Sequence, residues 1–184
     1  MEDKNDAHLN EISGLLRCRA QVPGDEAFLW EVYASTRQEE LDLTNWSQAQ
    51  RKVFLDSQFK AMRGGYASQF PQADFSVILF REQPVGLMVV DRAETELRLV
   101  DIALLTEYRG RGLGSFLLKK LAAEAARARK PLRLHVFKGS RPWHLYERLG
   151  FVKIQEDGPY EHLEWRPQAA ASPQAPGGAA TPGD

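Results

Sequence analysis

Arg109-Gly110-Arg111-Gly112-Leu113-Gly114 sets three glycines at alternate positions, with an arginine on each side of the first. The stretch follows an apolar run, Leu97 to Leu105, and opens an amphipathic segment that continues to Ala128. A strand, a glycine loop and a helix start, in that order, suit an anion. The first amides of a helix have no partner within it and carry the positive end of its dipole. Glycines remove Cβ atoms, so a ligand can come close to the backbone, and phosphate is the natural guest.

Spacing removes two phosphate-binding patterns. A nucleoside-triphosphate loop needs Lys-Ser/Thr after its last glycine, but Ser115-Phe116 follows here. A dinucleotide fingerprint needs Gly-x-Gly-x-x-Gly beside an early first strand. Gly110, Gly112 and Gly114 are wrongly spaced for it and lie in the second half of the chain. The diphosphate of coenzyme A remains, beside the plainer alternative of a helix start with flexible glycines.

Other residues could move protons. In Leu145-Tyr146-Glu147-Arg148-Leu149-Gly150-Phe151, the two leucines are four apart and face a core, which puts Tyr146 about 100° round, at the edge of that stripe. Gly150 is expected to cap the helix and Phe151 to pack back on it. Asp101 is the one charge within LVDIALL, with Leu99 and Ala103 as its pleat partners. A carboxylate on so apolar a strand is paired, neutral or functional. Glu96, at the start of that strand, is a weaker candidate base. His135 and His144 are isolated, and His135 alternates onto the other face of its strand. Glu39, Glu40 and Asp42 could attract a cationic amine or form an ordinary solvated face, while Trp30 and Trp46 read as core.

The elements that must position these groups follow from periodicity. GLLRCRA reads as a strand over 14–20, broken by Pro23-Gly24-Asp25. Asp25 can cap a helix with Phe28, Leu29, Val32 and Tyr33 inward. A second helix starts near Asn45, turns Val53, Phe54, Phe59 and Met62 inward, and ends at Gly64-Gly65. DFSVILF and PVGLMVVD form a hairpin around Glu82-Gln83, and Leu97 to Leu105 is a central strand, apolar on both faces. After the loop and its helix come a strand to Phe137, a short helix stopped at Gly150, and a closing hairpin around Asp157-Gly158-Pro159. The order β-α-α-β-β-β-α-β-α-β-β predicts an α/β (α+β) fold with a mixed sheet of about six or seven strands and about four helices.

The chain has 184 residues, which suits one domain. We expect a single domain over 11–166, a flexible stretch over 1–10, and a disordered Ala/Pro/Gly-rich tail over 167–184, which lacks large apolar residues. A formal net charge of -1 gives no basic footprint for nucleic acid. No apolar run approaches the roughly 20 residues that span a bilayer. Cys18 is the lone cysteine, so no internal disulfide or zinc cluster is expected, and a cytoplasmic protein with no metal is the expectation.

RGRGLG resembles the acetyl-CoA signature of the GNAT superfamily of N-acetyltransferases, Gln/Arg-x-x-Gly-x-Gly/Ala, with Arg109, Gly112 and Gly114 in its fixed places. LYERLGF is similar to that superfamily's second common motif, at the expected distance downstream. The resemblance is good over about Phe75 to Trp165. It implies a splayed sheet whose fourth and fifth strands part like a V around the pantetheine arm. Ala103 and Leu104 would contact that arm by their backbone, and Arg109, Gly110, Arg111, Gly112, Leu113, Gly114 and Ser115 would cradle the diphosphate. The family often has Asn and a small residue ahead of the tyrosine motif; Gly139-Ser140 and Pro142 stand there, so Ser140 is the candidate replacement contact. The implied activity is acetyl transfer from acetyl-CoA, as cosubstrate, to an amine of a small molecule or peptide. The acceptor attacks directly in a ternary complex, Tyr146 is the acid, and Asp101 or only water is the base. A homodimer is compatible with it. The other class the loop allows is a catalytically silent acyl-CoA sensor.

Overall fold

The computed structural model describes residues 12–167, so the stretch expected to be flexible over 1–10, residue 11 and the tail from 168 to 184 lie outside the described residues. The elements are β1 Leu16–Ala20, α1 Glu26–Asp42, α2 Gln48–Gln69, β2 Asp74–Phe80, β3 Gln83–Arg92, β4 Leu97–Leu104, α3 Leu113–Ala128, β5 Leu132–Phe137, α4 Arg141–Arg148, β6 Val152–Asp157 and β7 Tyr160–Trp165. Their order is the expected one. Residues 12–15 are helical, so the first strand is shorter than GLLRCRA.

The sheet runs β1-β2-β3-β4-β5-β7-β6. Only β4 and β5 are parallel, and every other neighbouring pair is antiparallel. Arg81 and Glu82 hold φ of 51° and 64° in the β2–β3 turn, one position earlier than expected. Two residues in the left-handed region match the twist of a hairpin. One face carries Val77, Leu79, Leu87 and Val89 against the α1 residues Leu29 and Val32 and the α2 residues Leu55 and Phe59. The other carries Ile78, Val90, Leu99 and Leu134 against Leu117 and Leu121 of α3 and Tyr146 of α4.

Helix α2 departs from expectation in a way that matters for the site. It begins at a capping box: Ser47 Oγ accepts from the Gln50 amide at 3.3 Å and Gln50 Oε1 from the Ser47 amide at 2.8 Å. Its inward stripe is Leu55, Phe59 and the half-buried Met62, whereas Val53 is 70% exposed and Phe54 37% exposed. Val53 is two residues from Leu55, about 200° round the helix. Phe54 lies instead against Trp46, ring centres 5.1 Å apart, and Trp46 is exposed rather than core. Gly64 and Gly65 do not end the helix, which runs on to Gln69 and carries Tyr66 with it. Asp25 is no side-chain cap either. Its carboxylate takes both terminal nitrogens of Arg19 at 2.7 Å and the Val22 amide at 2.8 Å, which draws its pKa down to about 2.

The sheet opens where β4 carries an extra residue. Val90 pairs with Leu99 and Val89 with Asp101, so Val100 is a bulge. The β4–β5 ladder stops at Leu99 and Leu134, while β5 continues on β7 through Phe137. The two parallel strands part like a V, as expected. Gly86 of β3 permits the close approach of β4 at this point: a Cβ there would stand 2.2 Å from the Ala103 carbonyl oxygen and 2.8 Å from Leu104 Cδ2. Neither backbone can yield without breaking the β3–β4 ladder. Gly86→Ala is therefore expected to cost at least about 2 kcal/mol of stability, read by urea unfolding. An unchanged midpoint would show that the strand shifts freely.

Candidate active site

The V leads into a cleft of about 620 Å³. Its walls are Leu99 to Ala103 of β4, Leu134 to Phe137 of β5, Tyr33, Thr36, Arg37 and Glu40 of α1, Met62 and Tyr66 of α2, and Ser140, Tyr146 and Tyr160 on the far side. The cleft brings Asp101, Ala103, Ser140 and Tyr146 together; Leu104 and the glycine loop adjoin it along the chain without lining it.

The loop leaves β4 through a 3₁₀ turn, Thr106–Tyr108. Gly110 and Gly112 hold φ of 72° and 80°, and Gly112 is the N-cap of α3 with no side-chain cap. The left-handed backbone at Gly112 is why glycine stands there. Leu113, 1% exposed, anchors the first turn in the core, and the first helical bond runs from the Phe116 amide to the Gly112 carbonyl at 2.9 Å. The amides of Leu113, Gly114 and Ser115 therefore precede the ladder, in a first turn with no acidic residue. The Arg109 side chain braces the loop from behind. Its Nε donates to the Leu104 carbonyl at 2.8 Å and its Nη2 to Ser35 Oγ at 3.0 Å, so its side chain ties the loop to β4 and α1. Arg111 lies over the Tyr108 ring at 5.3 Å. The Leu104 carbonyl is thus engaged, and the Ala103 carbonyl is turned toward Gly86.

Tyr146 is 7% exposed, the most buried residue of α4, at the centre rather than the edge of the helix's inward face. Its ring meets Phe151 edge-on at 5.6 Å, and the Phe151 amide donates to the Tyr146 carbonyl at 3.1 Å, as the packing-back of Phe151 requires. Gly150, φ 87°, follows the helix end. The Tyr146 hydroxyl makes no hydrogen bond among the described residues. Burial, and then the charge of Asp101, push its pKa above the ordinary tyrosine value.

Asp101 is half-buried. Burial lifts its carboxyl to about 6, against the Tyr66 hydroxyl, the Ile102 amide and the charge of Arg37, which all favour the carboxylate. The Tyr66 hydroxyl donates to Asp101 Oδ2 at 3.4 Å. The pleat partners differ from the expected pair. Leu99 packs with the α3–α4 side, while Ala103 packs with the α1–α2 side, because the bulge at Val100 inverts the alternation. Ser140 Oγ is buried and has no hydrogen-bond partner among the described residues.

Several candidates belong elsewhere. Glu96 is held by Arg98 at 2.7 Å and Arg133 at 2.6 Å, an ion-pair cluster outside the cleft. His135 borders the cleft, but its Nε2 accepts from Arg98 at 2.9 Å, its ring stacks on His162 at 3.8 Å, and burial lowers its pKa. His144 is exposed beside Glu147. Of the acidic run only Glu40 reaches the cleft, paired with Arg37 at 3.2 Å, while Asp42 pairs with Arg51 at 2.8 Å. Tyr66 and Arg37 were not legible as site residues. The stripe Leu55, Phe59, Met62, Tyr66 carries the signal for Tyr66, but only once the helix is allowed past Gly64-Gly65.

A bulge-split mixed sheet, with a glycine loop opening a helix from the central strand and a tyrosine helix across the gap, defines an acyltransferase-type α/β fold. Residues 71–153 match the profile of the family described as acetyltransferase (GNAT) domain. Solved structures agree on the fold. The chain is similar to the PaiA N-acetyltransferase of Thermoplasma acidophilum, solved in complex with coenzyme A: 19% identity over 82% of this chain and 98% of that one, TM-score 0.61. It is similar to an acetyltransferase of Thermus thermophilus, at 17% identity, 83% and 97% coverage and TM-score 0.62. A third likeness is to a histone acetyltransferase HPA2-related protein of Corynebacterium glutamicum, at 19% identity, 86% and 99% coverage and TM-score 0.59. No curated protein sequence matches. Among the described residues no helix is long and apolar enough to cross a membrane.

Proposed function

We propose that the protein transfers an acetyl group from acetyl-CoA to a primary amine of a small molecule or peptide, by direct attack in a ternary complex. The observation that carries this reading is the cleft itself: the strand gap brings a buried, unpaired Ser140 hydroxyl, the unpaired Tyr146 hydroxyl and the raised Asp101 carboxyl into one cavity. Coenzyme A fits these residues. The Leu113 to Ser115 amides and the Gly110 and Gly112 backbone would hold its diphosphate, and Ser140 would supply the polar contact that the family usually draws from asparagine. The thioester supplies the activated acetyl group.

The chain's own groups meet the remaining demands. At pH 7 a lysine-like amine must lose a proton, at about 4.6 kcal/mol. An ordinary aspartate is about 6.5 pH units less basic than such an amine. Raising Asp101 to about 6 narrows that gap by roughly 2 units, about 3 kcal/mol, which makes it a useful proton acceptor as the N–C bond forms. Tyr146 stays protonated throughout the physiological range and donates a hydrogen bond to the departing sulfur. Full transfer of its proton is uphill, since even an ordinary tyrosine is about 1.5 units less acidic than a thiol. The acceptor side is walled by Tyr33, Tyr66, Tyr160 and Phe137, with Asp101 and Glu40 against one Arg37, so a cationic amine on a compact body fits it.

A thiol-release assay with acetyl-CoA over polyamines, amino acids, aminoglycosides and peptide N-termini tests this reading. Turnover with at least one amine is expected. Tight coenzyme A binding with no turnover on any of them would favour the silent sensor.

A further inference from the structure

We propose that Tyr66 is a positioning residue for Asp101: its hydroxyl, brought to the cleft by the α2 turns beyond Gly64-Gly65, holds the Asp101 carboxylate on the acceptor side and sets how readily it ionises. The inference rests on the reading of Asp101 as the proton acceptor. Three observations support it. Beyond the helix's own nearby backbone, nothing lies within 4 Å of the Cβ position of Gly64 or Gly65, so no close contact demands glycine at either place. Two glycines in a helix cost about 1 kcal/mol each relative to alanine, and this helix carries them on to Tyr66. At Tyr66 the phenol points into the cleft and donates to Asp101 Oδ2 at 3.4 Å.

The groups around Asp101 come from four elements. Arg37 on α1 faces it with a positive charge, shared with Glu40 and stacked on the Tyr33 ring at 5.5 Å. Tyr66 on α2 gives the hydrogen bond. Tyr146 on α4 is near enough for the Asp101 charge to make its own proton harder to lose. The Ile102 amide of β4 adds a second donor. Of these, Tyr66 is the one side-chain hydrogen-bond donor to the carboxylate among the described residues. A donor bonded to the charged form of an acid favours ionisation, so losing it moves the titration upward. The bond constrains direction as well: Tyr66 holds Oδ2 of the carboxylate toward α2.

The experiment is a pH titration of the protein with ¹³C-carboxyl aspartate, the Asp101 signal being the one lost in Asp101→Asn. In Tyr66→Phe, which keeps the ring, the Asp101 midpoint is expected to rise by about half to one pH unit. A midpoint that stays put or falls overturns the inference and leaves Tyr66 as packing alone. Thiol release with phenethylamine and spermine as probe acceptors, followed from pH 5 to 9, separates this from the catalytic reading. If Asp101 is the base, kcat/KM rises through a limb near pH 6 that Asp101→Asn abolishes and Tyr66→Phe displaces upward. A limb indifferent to Asp101→Asn refutes the base and leaves the carboxyl titration to decide the pairing by itself.

Discussion

Gly112→Asp is expected to weaken coenzyme A binding by about 100-fold or more, read by calorimetry with the full chain. Two effects add. Gly112 sits at φ 80° and ψ -7°, a left-handed backbone that costs an ordinary residue roughly 1–2 kcal/mol. A carboxylate at the start of α3 would also stand among the amides that the diphosphate needs, neutralise the positive end of the helix dipole and repel the phosphates. A loss of about 2.7 kcal/mol corresponds to 100-fold. Gly112→Ala separates the parts, since it carries the backbone strain without the charge and is expected to lose only about ten-fold. Unchanged affinity in the aspartate variant would remove the loop from phosphate binding. Equal losses in both variants would make the loop's role one of shape.

The order of elements was legible because each strand is an apolar run closed by turn chemistry, as at Gly158-Pro159 between β6 and β7. The loop and the tyrosine motif were legible because their spacing is local. What escaped depends on contacts distant in sequence. Gly64-Gly65 reads as a helix end because each glycine costs about 1 kcal/mol, yet the α2 residues Leu55 and Phe59 each contribute about 1.5–3 kcal/mol by burial, and the helix continues. A helix ended at Gly64-Gly65 hides Tyr66. Asp101 stands out on its apolar strand, but the bulge at Val100 changes which face it shares, and no single strand's alternation reveals a bulge. Arg109 fits a ligand signature by type and position, while its guanidinium is spent on Leu104 and Ser35. Asp25 reads as a cap until Arg19, six residues back on β1, takes its carboxylate. The recurring cause is that a polar side chain's type shows what it can bind, and only the fold shows which partner arrives first.

Tyr146→Phe separates chemistry from architecture most cleanly. It is expected to lower kcat by about 10- to 100-fold while coenzyme A affinity stays within about two-fold. The hydroxyl makes no hydrogen bond within the described residues, so its removal strands no partner. The ring keeps its edge-on contact with Phe151 at 5.6 Å, and α4 keeps its core anchor. On stability grounds the change is neutral or favourable, because a phenol oxygen in a largely buried ring gains nothing from its surroundings. A structural tyrosine would therefore show no kinetic loss. A donor to the leaving sulfur would lose turnover without losing cofactor, since the hydrogen bond strengthens as negative charge builds on sulfur. The raised pKa of Tyr146 sharpens the expectation: the residue remains a neutral donor well above neutrality, so the ratio of wild-type to variant rates is expected to stay constant from pH 6 to 9. A ratio that changes with pH in that range would mean that Tyr146 itself gains or loses its proton there. Equal turnover in wild type and variant would take Tyr146 out of the mechanism and leave thiolate departure to solvent.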